Sequence, residues 1–276
     1  MTSPAGPELT NPRAERVKAA RALSGRSARR RAGRFLVEGP QSVREAVREA
    51  PDRVRGLYLT PDAVGRYPEI VDAAAERSVA VRTASDDVVA AMSPDAQGVL
   101  AVLDVHDPGL ASVLAARPRL VAVLARVRDP GNAGAVIRAA DAAGADAVVL
   151  TDQSVDVHNP KVVRSTAGSL FHLPVTAGAS LGEVTAALRD AGLAVLAADG
   201  SGEHDLDDLL DAVPVGGPDL SAPTAWVFGN EAWGLAPEDR DLADAVVRVP
   251  IRGRAESLNL ATAATVCLYA SSRAHR

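Results

Sequence analysis

The chain has one cysteine, two lysines, and aromatic side chains at only 3% of its 276 positions. A single cysteine excludes an internal disulfide and any thiolate metal cluster. Cys267 falls in an apolar helical run and reads as a buried, inert thiol. No apolar run approaches the roughly 18 residues that a membrane span requires. The beginning of the chain is polar and basic, without the apolar core of a signal peptide, so the expected location is the cytoplasm. His158 and His172 lack the partners of a metal site or a hydrolytic triad and read as structural residues, so no metal is expected.

With 47% hydrophobic and 24% charged residues, the composition is that of a soluble globular protein, and the length suits two domains. The net charge of −5 is unevenly spread. Residues 1–36 carry nine basic groups (Arg13, Arg16, Lys18, Arg21, Arg26, Arg29, Arg30, Arg31 and Arg34) against Glu8 and Glu15, a local +7 on a body of −12. Clustered cations are what phosphate binding needs, so this leader reads either as a polyanion contact or as a solvated, partly disordered segment.

Four stretches of sequence organise the chain. Residues 1–33 form the basic leader. Residues 34–106 alternate strand-like runs ("FLVEG", "VRGLYLT", "GVLAVLDV") with helical spacing, which predicts a small α/β domain. Residues 107–118, with Pro108, Gly109 and Pro118, read as a linker. Residues 119–276 open with "LVAVLAR", a continuous apolar run of the kind found in sheets covered on both faces, and continue with alternating helices and strands. An open α/β domain with mostly parallel strands is expected there, with its ligands beyond the carboxyl ends of the strands.

Polar residues gather at those ends. In "VRDPGNAGAVIRAADAAG" Asn132 is suited to cap a helix, and Arg138 stands in a helix otherwise made of small and apolar residues. That arginine either meets an anionic partner or snorkels to water. Gly131-x-x-Gly134-x-x-Ile137 misses the glycine spacing of a dinucleotide loop. "HNPKVVRSTAGSLFHLPV" sets Lys161 and Arg164 among small hydroxyl residues suited to holding a phosphate, although Ser165, Thr166 and Ser169 could equally be caps and turns. "WVFGNEAWGL" ends a strand on Glu231 between Gly229 and Gly234, and "VVRVPIRGRAESLNLATAA" leads through a glycine loop to Ser257 and Asn259 at the start of a last helix.

In these three stretches the chain resembles the SpoU (TrmH-type) RNA ribose 2′-O-methyltransferases of the SPOUT superfamily: "DPGNAGAVIRAADAAG" is similar to the first family motif, "VFGNEAWGL" to the second and "VPIRGRAESLNLATAA" to the third. The segment with "FLVEGPQSVREA" and "QGVLAVL" resembles the substrate-binding (L30e-like) domain that precedes the catalytic domain in many members. The resemblance implies a deep trefoil α/β knot over 119–276, which general topology rules would exclude. It implies S-adenosyl-L-methionine as cofactor, RNA as substrate and a homodimer. Carried over by motif, Ala198, Gly229, Val249, Ile251 and Leu258 line the cofactor pocket, while Asn132, Arg138, Glu231, Ser257 and Asn259 fall on catalytic and substrate positions. Ala232 stands where many members have glycine.

The reaction so implied is in-line attack of a ribose 2′-hydroxyl on a sulfonium methyl, in which alignment and proton removal are the protein's tasks. An arginine is a poor base, so Arg138 is expected to hold the adjacent phosphate and the developing alkoxide, with Glu231 holding the arginine or relaying the proton. Ribosomal RNA, 23S in particular, is the expected substrate. A tRNA 2′-O-methyltransferase and a non-catalytic RNA-binding protein of the same fold are the alternatives.

Overall fold

The computed structural model describes residues 8–211 and 217–275. They divide into two compact units, one drawn from Met1–His106 and His158–His172, the other from Asp107–Val157 and Leu173–Arg276. No helix among the described residues is long and apolar enough to cross a membrane.

The first unit is built on four strands: β1 (Arg34–Glu38), β2 (Val54–Leu59), β3 (Val81–Thr83) and β4 (Val99–Asp104), in the order β1-β4-β2-β3. Side chains alternate across a strand, and both faces are used. Phe35, Val37, Leu57, Leu59, Val99, Ala101 and Leu103 pack on one face against Val43, Val47, Ile70 and Ala74. Leu36, Tyr58, Leu100 and Val102 pack on the other against Val88, Val89 and Met92. That second face is also covered by the basic leader. Glu15–Ala22 is a helix that buries Val17 and Ala20, and Leu23 is buried just beyond it. Arg26–Ala32 is a second helix. The described part of the leader is therefore folded, with Arg13, Arg16, Arg21, Arg26, Arg30 and Arg31 exposed and Arg29 buried where it donates to the Leu23 and Ser24 carbonyls. Val163, from the 158–172 segment, is buried in the first unit's core.

The second unit carries seven strands: β5 (Leu120–Leu124), β6 (Ala147–Leu150), β7 (Val175–Ala177), β8 (Ala194–Ala198), β9 (His204–Asp205), β10 (Thr224–Phe228) and β11 (Ala245–Arg248). They pair in the order β7-β6-β5-β10-β8-β11-β9, and every pairing is parallel. Val121, Val123, Val195, Ala225 and Val227 pack against the helix Leu181–Asp190 on one face. From β10, the indole N–H of buried Trp226 donates to the Ser271 hydroxyl of the helix Leu260–Ala274 (2.9 Å). Register decides where the site forms: Leu124, Phe228 and Ala198 are aligned across three neighbouring strands, and Val247 is aligned with Ala198. All four strands thus release their following loops at one level of one edge, where the chain order reverses across the sheet. Within the same unit Cys267 is fully buried, and burial pushes its thiol up to about 12, in keeping with an inert side chain.

Candidate active site

The loop after β5 leads into a helix over Pro130–Ala143. Its cap is Asp129 rather than Asn132: the Asp129 carboxylate accepts the Asn132 N–H at 2.7 Å, and Pro130 takes the first helical position, where no N–H is needed. Asn132 sits in the first turn, and its side chain is released for another partner.

That partner is Asn259. Asn259 caps the C-terminal helix, its Oδ1 accepting the N–H groups of Ala261 and Thr262, and its Nδ2 donates to Asn132 Oδ1 at 3.0 Å. One side chain therefore starts a helix and ties it to the first turn of the helix that follows β5.

The loop after β10 closes on itself. Asn230 and Gly234 exchange backbone hydrogen bonds (3.0 and 2.8 Å), with Gly234 at φ +67°, a conformation that favours glycine. A Cβ on Gly229 would lie 2.4 Å from the Gly234 carbonyl carbon, so no other residue fits there. Buried Asn230 donates through Nδ2 to the Arg126 carbonyl and accepts the Ala232 N–H, both at 2.9 Å. Glu231, at the turn, accepts the backbone N–H groups of Asp129 (2.9 Å) and Arg128 (3.3 Å). Its partners among the described residues are thus the amides of the neighbouring loop, and no guanidinium contacts it.

Arg138 lies six residues beyond Asn132. At about 100° per residue it projects from a different side of the helix. It is exposed, and among the described residues no hydrogen bond or ion pair engages it. Ser257 is exposed two residues before Asn259. Ala198 ends β8, Gly229 follows β10, and Val249 and Ile251 follow β11, with Leu258 next to Asn259. Val249, Ile251 and Leu258 remain half-buried or exposed at this edge. Lys161 and Arg164 belong to the first unit. Lys161 is exposed, whereas Arg164 lies 2.8 Å from both the buried Glu38 carboxylate and Asp95. Its guanidinium is held in that unit's own architecture.

Two ion pairs beyond β5 and β8 join residues that the sequence motifs do not single out. Arg126, two residues beyond β5, pairs with buried Asp239, and Arg240 pairs with Asp199 beyond β8. Both acceptors and donors on the far side come from one short helix, Pro237–Arg240, which follows the Glu231 loop. It is fastened to the strands that flank β10 on either side. Burial works to raise the Asp199 carboxyl, but hydrogen bonds from the Ser201 hydroxyl and N–H, together with Arg240, bring it below the usual carboxylate range. The available signal is a charged residue within two positions of the end of each of two apolar strands, in "VLAR" and "LAAD".

Comparison with known proteins agrees with this geometry. Residues 119–269 match the SpoU rRNA Methylase family, and residues 14–101 match the MRM3-like substrate binding domain. The chain is 33% identical to the 23S rRNA (uridine(2479)-2′-O)-methyltransferase of Streptomyces viridochromogenes, over 98% of this chain and 93% of that one. It is 30% identical to the 23S rRNA (guanosine(2553)-2′-O)-methyltransferase RlmP of Bacillus subtilis (strain 168), over 95% and 98%. Among solved structures, the SpoU methyltransferase AviRb from Streptomyces viridochromogenes in complex with the cofactor AdoMet superposes with a TM-score of 0.78 at 34% identity, covering 94% of this chain and 98% of that one. An AdoMet-bound rRNA methyltransferase from Sinorhizobium meliloti gives 0.79 at 28% identity, covering 96% and 97%. Three loops tied together at one sheet edge and a family match over that same stretch lead to one conclusion: the chain belongs to the SpoU rRNA methylase family.

Proposed function

We propose that the protein transfers a methyl group from S-adenosyl-L-methionine to a ribose 2′-hydroxyl of 23S ribosomal RNA. The observation that carries this reading is the joining of three strand-end segments through Asn132–Asn259 and through Glu231; the helix that bears Asn132 also bears Arg138, an arginine with no partner among the described residues. Relatives that match almost the whole chain are named as 23S rRNA 2′-O-methyltransferases, which favours ribosomal RNA over tRNA and catalysis over RNA binding alone.

The edge suits the cofactor. Apolar side chains of Val249, Ile251 and Leu258 stand partly uncovered in the segment after β11, whose Val247 is aligned with Ala198 at the end of β8, and the backbone at Gly229 is closely packed. These residues would hold S-adenosyl-L-methionine, which supplies an electrophilic methyl group. Arg138 holds the phosphate next to the target ribose and stabilises negative charge as it grows on the 2′-oxygen. Asn132 and Asn259 fix the edge against which the ribose lies, and the exposed Ser257 hydroxyl is free to accept or donate a hydrogen bond at the sugar. Glu231 keeps the loops after β5 and β10 in one arrangement by accepting two N–H groups, which is the positional precision that in-line transfer needs.

The exposed leader arginines and Lys161 serve as contacts to the RNA backbone, and Arg164 is withdrawn from that role by its two carboxylates. Val266 and Tyr269, 39% and 49% exposed on a helix whose other side is buried, supply an apolar face for a homodimer, the assembly implied by the family's knotted catalytic domain. The setting is the cytoplasm, where ribosomal RNA is modified. Mapping 2′-O-methylation by primer extension at low dNTP, in a deletion strain and its parent, tests the reading. One 23S stop lost on deletion and restored by the gene is expected; an unchanged map would overturn it.

A further inference from the structure

The chain has two tryptophans, and they are opposites. Trp226 is fully buried, whereas Trp233 keeps 58% of its surface exposed. Among the described residues it is the most exposed of the large apolar side chains, ahead of Tyr269, Val105, Val266 and Ile251. Trp233 is at the tip of the Asn230–Gly234 turn, and the Arg128 guanidinium lies over its ring, 5.5 Å from the centroid.

Both ends of this pair are anchored. The turn is closed by the Asn230–Gly234 hydrogen bonds and pinned to the Arg126 carbonyl by the Asn230 side chain. The Arg128 N–H is itself held by the Glu231 carboxylate, two residues before Trp233. The cation is thus set over one face of the ring before any ligand arrives, which lowers the ordering cost of binding a base on the other. The surface they offer is aromatic and positive. Its complement is a flat π-face attached to an anion, which is the chemistry of a nucleotide in an unpaired strand.

We propose that Trp233 and Arg128 form a stacking platform for an unpaired nucleobase of the RNA substrate, at or next to the ribose that receives the methyl group. The proposal rests on the RNA-methyltransferase reading and deepens it. Stacking accepts any base, so the platform does not select the nucleotide; it fixes the height of the backbone against Asn132 and Asn259. It also selects a target that lies in a loop or is flipped out of a helix, because a paired base presents no free face.

Because Trp226 is shielded, changes in tryptophan emission on ligand binding report Trp233. The full-length protein is titrated with a short oligouridylate and with an abasic ribose-phosphate oligomer of the same length. Emission quenched by the first and not by the second is expected. Base stacking of about 1–3 kcal/mol per base predicts that W233A raises KM for ribosomal RNA roughly tenfold while kcat changes by less than about threefold, and that W233F recovers most of the loss. Equal quenching by the abasic oligomer, or an unchanged KM in W233A, would overturn the platform. So would emission that changes with protein concentration alone, since a second copy would then cover the indole. Quenching needs no methyl transfer: base-dependent quenching in a protein without transferase activity would sink the activity reading and leave the platform standing.

Discussion

Arg164 and Arg138 are the same side chain put to opposite ends in the two units. Arg164 sits in the first unit between two carboxylates, one of them Glu38, whose side chain is 3% exposed. Arg138 stands in the second unit exposed, with no partner among the described residues. Other cations of the first unit follow Arg164: Arg34 and Arg55 share the Asp104 carboxylate, and Arg53 donates to the Asp104 carbonyl. A guanidinium saturated by carboxylates holds a fold together, and one without a carboxylate is available to a phosphate. Which of the two an arginine is depends on an acid brought from elsewhere in the chain (126 residues away for Glu38), not on its own neighbours in sequence.

Substitutions can break that comparison. The largest effect is expected from R138A, which should lower methyl transfer by about a thousandfold, the scale of losing a positioned charge-stabilising group. Calorimetry should show S-adenosyl-L-methionine affinity within a few-fold of the parent, and the melting temperature should hold. Lost cofactor binding would make Arg138 a pocket residue instead. R164M should do the reverse. Leaving the buried Glu38 carboxylate without its cation costs about 3 kcal/mol of stability, read by chemical denaturation, and R164M/E38L should recover most of it. A stable R164M with weakened RNA affinity would return Arg164 to the substrate-binding set.

Smaller effects sharpen the picture. N132A and N259A should each slow transfer, and a double-mutant cycle should give a coupling of about 1 kcal/mol, as for one hydrogen bond. Additive losses would mean that the 3.0 Å contact does not operate in the working enzyme. Least of all, replacing Arg26, Arg30 and Arg31 with alanine should leave the melting temperature nearly unchanged. It should reduce the slope of log affinity for RNA against log salt by about 2, at roughly 0.7–0.9 per lost phosphate contact. An unchanged slope would make the leader's charge a solvated surface. Substitution is the right test, because deleting the leader would remove Val17, Ala20 and Leu23 from the core.

The second unit's sheet is legible in sequence because both of its faces are covered: a run such as "LVAVL" has no solvent side and so carries no polar residue. The site loops are legible for a related reason, since polar residues appear together only where those strands end. Local competition hid other features. Asn132 has the chemistry of a cap, but Asp129 precedes a proline that already fits the first helical position, so Asp129 takes the cap. The leader's charges draw attention from its apolar positions 17, 20 and 23, whose helical spacing is what folds it. The membership of 158–172 in the first unit is set by Val163 entering a distant core, and nothing in its own composition announces that. Glu231 illustrates the same limit: a carboxylate between glycines suggests a cation, yet backbone amides satisfy it.

The central claim is that the joined loops at one sheet edge direct a methyl group onto a sugar oxygen. It is tested most directly by incubating the purified protein with unmodified 23S ribosomal RNA and methyl-labelled S-adenosyl-L-methionine, then hydrolysing the product in alkali. A ribose methylated at its 2′-oxygen cannot assist cleavage of the neighbouring phosphodiester, so the label should be recovered in a single alkali-resistant dinucleotide, and R138A should yield none. Label released as a methylated mononucleotide would place the methyl group on a base and contradict the account.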